Sequence, residues 1–308
     1  MINDTITTPV AFLIFNRPDT TLRVFKEIAK VRPPKLLVIA DGPCSSHLNE
    51  ADKCAATRAI IDQVDWDCEV LTNYSEVNLG CKKRVSSGLD WVFNTVEKAI
   101  ILEDDCLPHP TFFRYCEELL EYYRHDQRVM HISGDNFQFG RKRNSDSYYF
   151  SRYSHVWGWA SWRRAWKHYD VEIKLWESVK EGNWLIDIFG DQKVALSWEK
   201  TFQSVYDGKI DTWDYQWLFA CWLQNGFAIL PNSNLISNIG FGADATHTTG
   251  VSEFANMPVE SMEFPLRHPL YILRNAQADQ FSQMTHFNLP SLMKRVKNKV
   301  RYFLSLKR

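Results

Sequence analysis

Glu103, Asp104 and Asp105 follow one another directly after the apolar run Ile100-Ile101-Leu102. Three adjacent carboxylates repel one another and need an outside partner. A hard divalent cation with oxygen ligands is the natural one; the alternative is a solvated acidic turn with no ligand. Asp214 lies between Trp213 and Trp217. A carboxylate beside aromatic faces can take a proton from a sugar hydroxyl. As a helix N-cap it would instead contribute about 1 kcal/mol of stability. His247 and Asp244 share a polar stretch, 233–249, that is too long for a bare connection and so is a candidate site segment. His247 is either a metal or phosphate contact closing over a ligand or a structural loop histidine. Arg84 is either a phosphate partner or a solvated helix charge, and Cys106 reads as a small buried residue.

Those residues must be positioned by a repeating pattern of short apolar strands and amphipathic helices. Strands are expected at Val10 to Phe15, Leu36 to Ala40, Glu69 to Tyr74, the run ending at Glu103, Val129 to Ser133, and Phe227 to Leu230. Helices are expected after Asp19 (as a cap), from Asn49 to Val64, after Asn78-Leu79-Gly80, from Pro108 to Arg124, from Gln192 to Tyr206, and from Asp214 to Leu223. The alternation predicts an α/β fold with a mostly parallel sheet. Such sheets bind ligands beyond the carboxyl ends of their strands. Polar groups gather at four of those ends: Asn16-Arg17, Asp41, Glu103-Asp104-Asp105, and Asp135. The glycine fingerprint of dinucleotide-binding folds and a phosphate loop ending in Gly-Lys-Ser/Thr are both missing, which suggests that phosphates are held through a metal.

The chain has 308 residues and a formal net charge of -1, giving no electrostatic case for nucleic acid. Its seven cysteines are odd in number and never spaced C-x-x-C, which argues for a reducing compartment over a disulfide framework or zinc ribbon. Met1 to Thr8 is polar, so no signal peptide is expected, and no apolar run reaches the length of a membrane span. A cytoplasmic protein is the resulting expectation. Aromatic residues are plentiful, with 12 tryptophans, and they crowd from Tyr148 to Trp222, which holds ten of the tryptophans, as either core or sugar-stacking surfaces. After Gln280 there are no acids, and Lys294, Arg295, Lys297, Lys299, Arg301, Lys307 and Arg308 accompany apolar residues at helical spacing. The pattern suits peripheral contact with anionic lipid, or a helix packed on the domain. One catalytic unit over 1–280 is therefore expected, with a nucleotide-sugar half about 9–136, an acceptor half about 137–280, and a basic tail from 281 to 308.

Taken together, these residues resemble the GT-A-fold glycosyltransferases, most of all the N-acetylglucosaminyltransferase I family (glycosyltransferase family 13) and its bacterial relatives. The similarity runs from about Pro9 to Thr249. Its most specific element is Ile101-Leu102-Glu103-Asp104-Asp105, which is similar to that fold's metal motif. The resemblance implies that Asp105 holds Mn²⁺ bridging the donor's phosphates, with Glu103 and Asp104 nearer the ribose and sugar. It implies nucleotide contacts at Asn16, Arg17 and Asp41. Trp213-Asp214-Tyr215-Gln216-Trp217 resembles the family's Trp-Asp-Asp-Trp segment and gives Asp214 the role of catalytic base.

The expected function is metal-dependent, inverting transfer of a sugar, such as N-acetylglucosamine, from a nucleotide diphosphate sugar to a glycan or lipid-linked hydroxyl. Oxygen ligands favour Mn²⁺ or Mg²⁺ over zinc. UDP is the expected nucleotide, and Asp135 is the next candidate base. The rivals are a sugar nucleotidyltransferase, a carbohydrate-binding protein without catalysis, and a retaining transferase. The first is disfavoured because Val10 to Asp19 contains no glycine.

Overall fold

The computed structural model describes residues 5–45, 47–241 and 253–287. Asp244, His247 and the tail beyond 287 lie outside the described residues. In chain order the elements are β1 (Val10–Ile14), α1 (Pro18–Val31), β2 (Lys35–Ala40), α2 (Glu50–Ala59), β3 (Glu69–Tyr74), α3 (Gly80–Thr95), β4 (Lys98–Glu103), β5 (Cys106–Pro108) and α4 (Thr111–Tyr122). They continue with β6 (Val129–Ser133), β7 (Tyr148–Ser151), β8 (Trp159–Trp162), α5 (Arg163–Trp166), α6 (Trp176–Glu181), α7 (Leu185–Phe189), α8 (Gln192–Tyr206), α9 (Asp214–Leu223), β9 (Phe227–Pro231), β10 (Ile236–Asn238) and α10 (Ala276–Thr285).

Eight strands form one sheet in the order β3-β2-β1-β4-β8-β6-β9-β7. Strands β3, β2, β1 and β4 run parallel, as do β6 and β9, while β8 and β7 run against them. This is the α/β, mostly parallel architecture that the strand–helix alternation predicts. The continuous apolar runs arise because both faces are covered. On one face Val10, Phe12, Val38 and Ile100 pack with Val24 and Ile28 of α1 and Phe112 and Leu119 of α4. On the other, Ala11, Leu13, Ile39 and Ile101 meet Leu89 and Val92 of α3 and Trp217 and Cys221 of α9. Each fully buried Val, Leu, Ile or Phe contributes about 1.5–3 kcal/mol. A third cluster, built by Trp176, Trp198, Phe202 and Trp222, joins α6 and α8 to the outer side of α9.

Several local expectations change. Helix α1 opens at Pro18, whose missing N–H costs nothing there, so Asp19 falls in the first turn and does not cap. The helix expected through Val64 ends at Ala59 and tightens into a 3₁₀ turn, Ile60–Gln63. The helix expected from Pro108 begins at Thr111, because 106–108 pairs antiparallel with β10. Helix α10 crosses residue 281, so the expected start of a separate tail falls inside it. Among the described residues no helix is long and apolar enough to cross a membrane.

Candidate active site

The carboxyl ends of β1, β2 and β4 open into a cavity of about 300 Å³. Register sets this arrangement: Leu13 of β1 lies beside Glu103 of β4, and Ile14 lies beside Ala40 of β2. The acids after β4 and the residues after Ile14 and Ala40 therefore emerge at one level. Arg17, Asp41, Arg84, Glu103, Asp104 and Asp105 all line the cavity.

Arg17 is the hinge of its electrostatics. Its Nη1 donates to Asp105 Oδ2 at 2.9 Å and its Nη2 to Asp104 Oδ1. Burial alone would lower the guanidinium pKa, but the two carboxylates outweigh that and raise it. Asp104 also accepts the Phe15 N–H at 3.2 Å, and burial pushes it up to about 6 against the pull of Arg17. The Glu103 carboxylate has no hydrogen-bond partner among the described residues. Burial, then the charges of Asp105 and Asp104, push it up to about 8. One guanidinium thus faces three carboxylates and leaves negative charge over. Among the described residues Asp105 Oδ1 meets only the Cys106 thiol, at 3.4 Å. An all-oxygen donor set with residual negative charge suits Mg²⁺ or Mn²⁺.

The short β5–β10 ribbon closes this site from the other half of the chain. Asn238 pairs with Cys106, and Ile239 N–H donates to the Asp105 carbonyl at 2.8 Å. Gly240 therefore lies against the acid. A Cβ there would stand 2.2 Å from Asp105 Oδ2 and 2.7 Å from Arg17 Nη1, so any side chain would displace the pair.

The other residues singled out by sequence are placed differently from one another. Asp41 lines the cavity, but both its oxygens accept backbone N–H groups, from Gly42, Leu79 and Gly80 at 2.9–3.2 Å. It thereby anchors the start of α3. Arg84, one reading of which was a solvated charge, is buried beneath the cavity, where its Nη2 donates to Asn73 Oδ1 at 2.6 Å. Asn16 does not line the cavity; its Nδ2 donates to Glu50 at 2.8 Å. Cys106 is fully buried. Asp135 is also buried and lines neither cavity described here. Its Oδ2 accepts the Trp157 N–H at 3.2 Å, its Oδ1 has no partner among the described residues, and burial holds its pKa well above the usual carboxylate range. It is suited to placing Trp157 rather than to accepting protons.

Asp214 lines a second cavity of about 210 Å³. This one is walled by Phe137, His155, Trp157, Tyr215, His286 and Phe287. Trp157 borders both cavities. Its backbone is set by Gly158, which has φ +62° and sits where a Cβ would be 2.4 Å from Ile236. Asp214 is the first residue of α9, after the N-cap Trp213, and accepts a hydrogen bond from Thr212 Oγ1. It makes no ion pair among the described residues. Its neighbours His155 and His286 are held neutral by burial, His155 well below its ordinary value and His286 near 4. The charge of Asp214 nevertheless reaches the first cavity. It is a lesser cause of the raised pKa of Glu103, and with Glu103 it adds to burial in pushing the Cys81 thiol to about 12.

Sequence reasoning did not single out Trp157, Gly240, His155 or His286, although Gly240 falls inside the 233–249 candidate segment. The tight aromatic run around Trp157 was a usable signal for the first. The other three depend on pairings between distant segments.

The chain matches no family model and no curated protein. Among solved structures it is similar to UDP-glucose pyrophosphorylase complexed with UDP-glucose, at 12% identity and a TM-score of 0.26. That match covers 47% of this chain and 62% of the other, so the chain spans less than two thirds of that structure's length.

Proposed function

We propose that this chain is a metal-dependent, inverting GT-A-type glycosyltransferase that uses a nucleotide diphosphate sugar, UDP-linked, as donor. The observation that carries the reading is the pair of cavities meeting at Trp157. One holds strand-end acids and arginines, and the other holds a carboxylate among aromatic rings.

The donor occupies the first cavity. Arg17 exchanges carboxylate partners for phosphate, which its planar fork suits. Asp105, through the Oδ1 that Arg17 does not engage, and Glu103 are the residues that would hold Mn²⁺ or Mg²⁺. When bound, the cation supplies Lewis-acid stabilisation of the departing diphosphate. Arg84 adds positive charge beneath the cavity. The acceptor occupies the second cavity, where Trp157 offers a flat apolar face to a sugar ring. Its hydroxyl oxygen forms a bond to the anomeric carbon as the bond from that carbon to the diphosphate oxygen breaks. Asp214 takes the hydroxyl proton. Direct displacement inverts the anomeric centre. Catalytic roles for His247, as a metal or phosphate contact, and membrane contact through the basic tail belong to the same proposal.

A transfer assay with NMR of the product tests the reading. The expected product has inverted anomeric configuration, and D214N loses transfer while still binding donor. Retained configuration would move Asp214 out of the base role. Release of pyrophosphate from a nucleoside triphosphate and a sugar phosphate would replace the reading with nucleotidyl transfer.

A further inference from the structure

A second group of metal-ligating side chains lies in the loop between β2 and α2. The Cys44 thiol, the His47 imidazole and the Glu50 carboxylate each place one ligand atom within 4.8 Å of the others. Local backbone brings them together. The His47 N–H donates to the Cys44 carbonyl at 3.2 Å, closing a turn that sets the two side chains side by side. Asn49 then takes φ 62°, the left-handed region that asparagine tolerates, and swings Glu50 back under them. Glu50 is buried and fixed from behind, its Oε1 accepting from Asn16 Nδ2 at 2.8 Å and its Oε2 accepting the Cys44 N–H. His47 Nδ1 stands 3.3 Å from Glu50 Oε1, while the ring itself reaches solvent.

We propose that Cys44, His47 and Glu50 form a zinc site that pins this loop to the end of β1. The donor set decides the ion. Thiolate and imidazole favour zinc over the hard cations that suit the all-oxygen set at Asp105. Three protein ligands plus a solvent molecule complete a tetrahedron. Asn16 and the Cys44 N–H are the outer hydrogen bonds that orient the carboxylate. On binding, the Cys44 thiol proton leaves to solvent and sulfur donates as thiolate. The loop starts at Asp41, which lines the donor cavity, so the zinc would stiffen one wall of that cavity without touching the reacting atoms.

Cobalt serves as the probe, because a thiolate–cobalt charge-transfer band reports sulfur ligation and cannot arise from the carboxylates at Asp105. The full chain, stripped of metal, is titrated with Co²⁺ and then with Zn²⁺. The expected result is a thiolate band that saturates at one cobalt per chain and is lost as zinc displaces that cobalt. C44S should lose the band. H47A, a change at an exposed side chain that leaves folding intact, should weaken binding by about 100-fold or more, the upper end of what losing an outer-shell partner alone costs. D105A should leave the band unchanged, which separates this site from the donor site whatever the fate of the transferase reading. No thiolate band, a band that survives C44S, or unchanged affinity in H47A would each overturn the proposal.

Discussion

The two cavities that share Trp157 are built on opposite electrostatic terms. The first concentrates charge: three carboxylates stand against the paired Arg17, and Glu103 is raised to about 8 because burial and its neighbours oppose its ionisation. The second disperses it. Asp214 is surrounded by rings, and the histidines beside it are neutral. Crowded carboxylates recruit a cation, and Arg17 beside them suits phosphate, whereas the Asp214 carboxylate lies among neutral rings with Thr212 as its hydrogen-bond donor. On the proposed reading, this contrast corresponds to donor binding in one cavity and proton transfer in the other.

Exchanging the acid of the second cavity should separate those roles most sharply. D214N is expected to reduce turnover by about 10²–10⁴-fold, the usual worth of a general base. Donor affinity measured by calorimetry should stay within the wild-type range. Loss of donor affinity in step with turnover would merge the two cavities into one function. G240A probes the first cavity from its lid. Its Cβ collides with Asp105 and Arg17, and overpacking of this kind costs about 1–3 kcal/mol. Metal and donor affinity should fall accordingly, while the product keeps the same stereochemistry. Unchanged donor affinity would mean that the 239–241 segment does not sit over the donor.

The smallest expected effect lies in the core, at His131 of β6, which lines neither cavity. His131 Nδ1 accepts the Trp217 indole N–H at 3.1 Å, so its Nε2 carries the hydrogen and donates to the His155 carbonyl at 2.7 Å. Burial lowers its pKa from 6.5 to about 3. A depressed histidine means that the unfolded chain takes up the proton first. Its contribution to stability is full above about pH 6.5 and is lost as pH falls towards 3, by at most about 1.4 kcal/mol per pH unit. Denaturation with urea at several pH values should show a shallower acid slope in H131F. An identical slope would show that His131 is protonated in the folded state.

The first cavity was far more legible in the sequence than the second. Apolar runs ending in acids reveal buried strands and their tips, and parallel winding forces those tips to one edge, so Arg17, Asp41 and the Glu103–Asp105 acids fall together in the structure. Asn16 departs from that pattern because Glu50, 34 residues later, claims its amide. The alternation signal also weakens after Ser133. Strands β7 and β8 are four residues each and rich in aromatics, and β5 and β10 are three. Strands so short and so aromatic look the same as core segments of any class. Gly240 and Trp157 gain their roles only from the β5–β10 pairing and from a glycine at positive φ, neither of which leaves a periodic mark. Asp214 was found through its tryptophan neighbours, yet those rings turn mostly into the core: Trp217 packs beneath the sheet, and Trp157, from a different segment, faces the cavities.

The central claim, a metal-dependent nucleotide site at the acidic strand ends, is tested most directly by thermal unfolding with UDP and other nucleoside diphosphates, with and without Mn²⁺, on the wild type and D105A. At a hundred times its dissociation constant a ligand should add about 2.7 kcal/mol to the folded state. The account predicts a stabilisation that requires both nucleotide and metal and disappears in D105A. Absence of any nucleotide-dependent shift, or an equal shift in D105A, would contradict it.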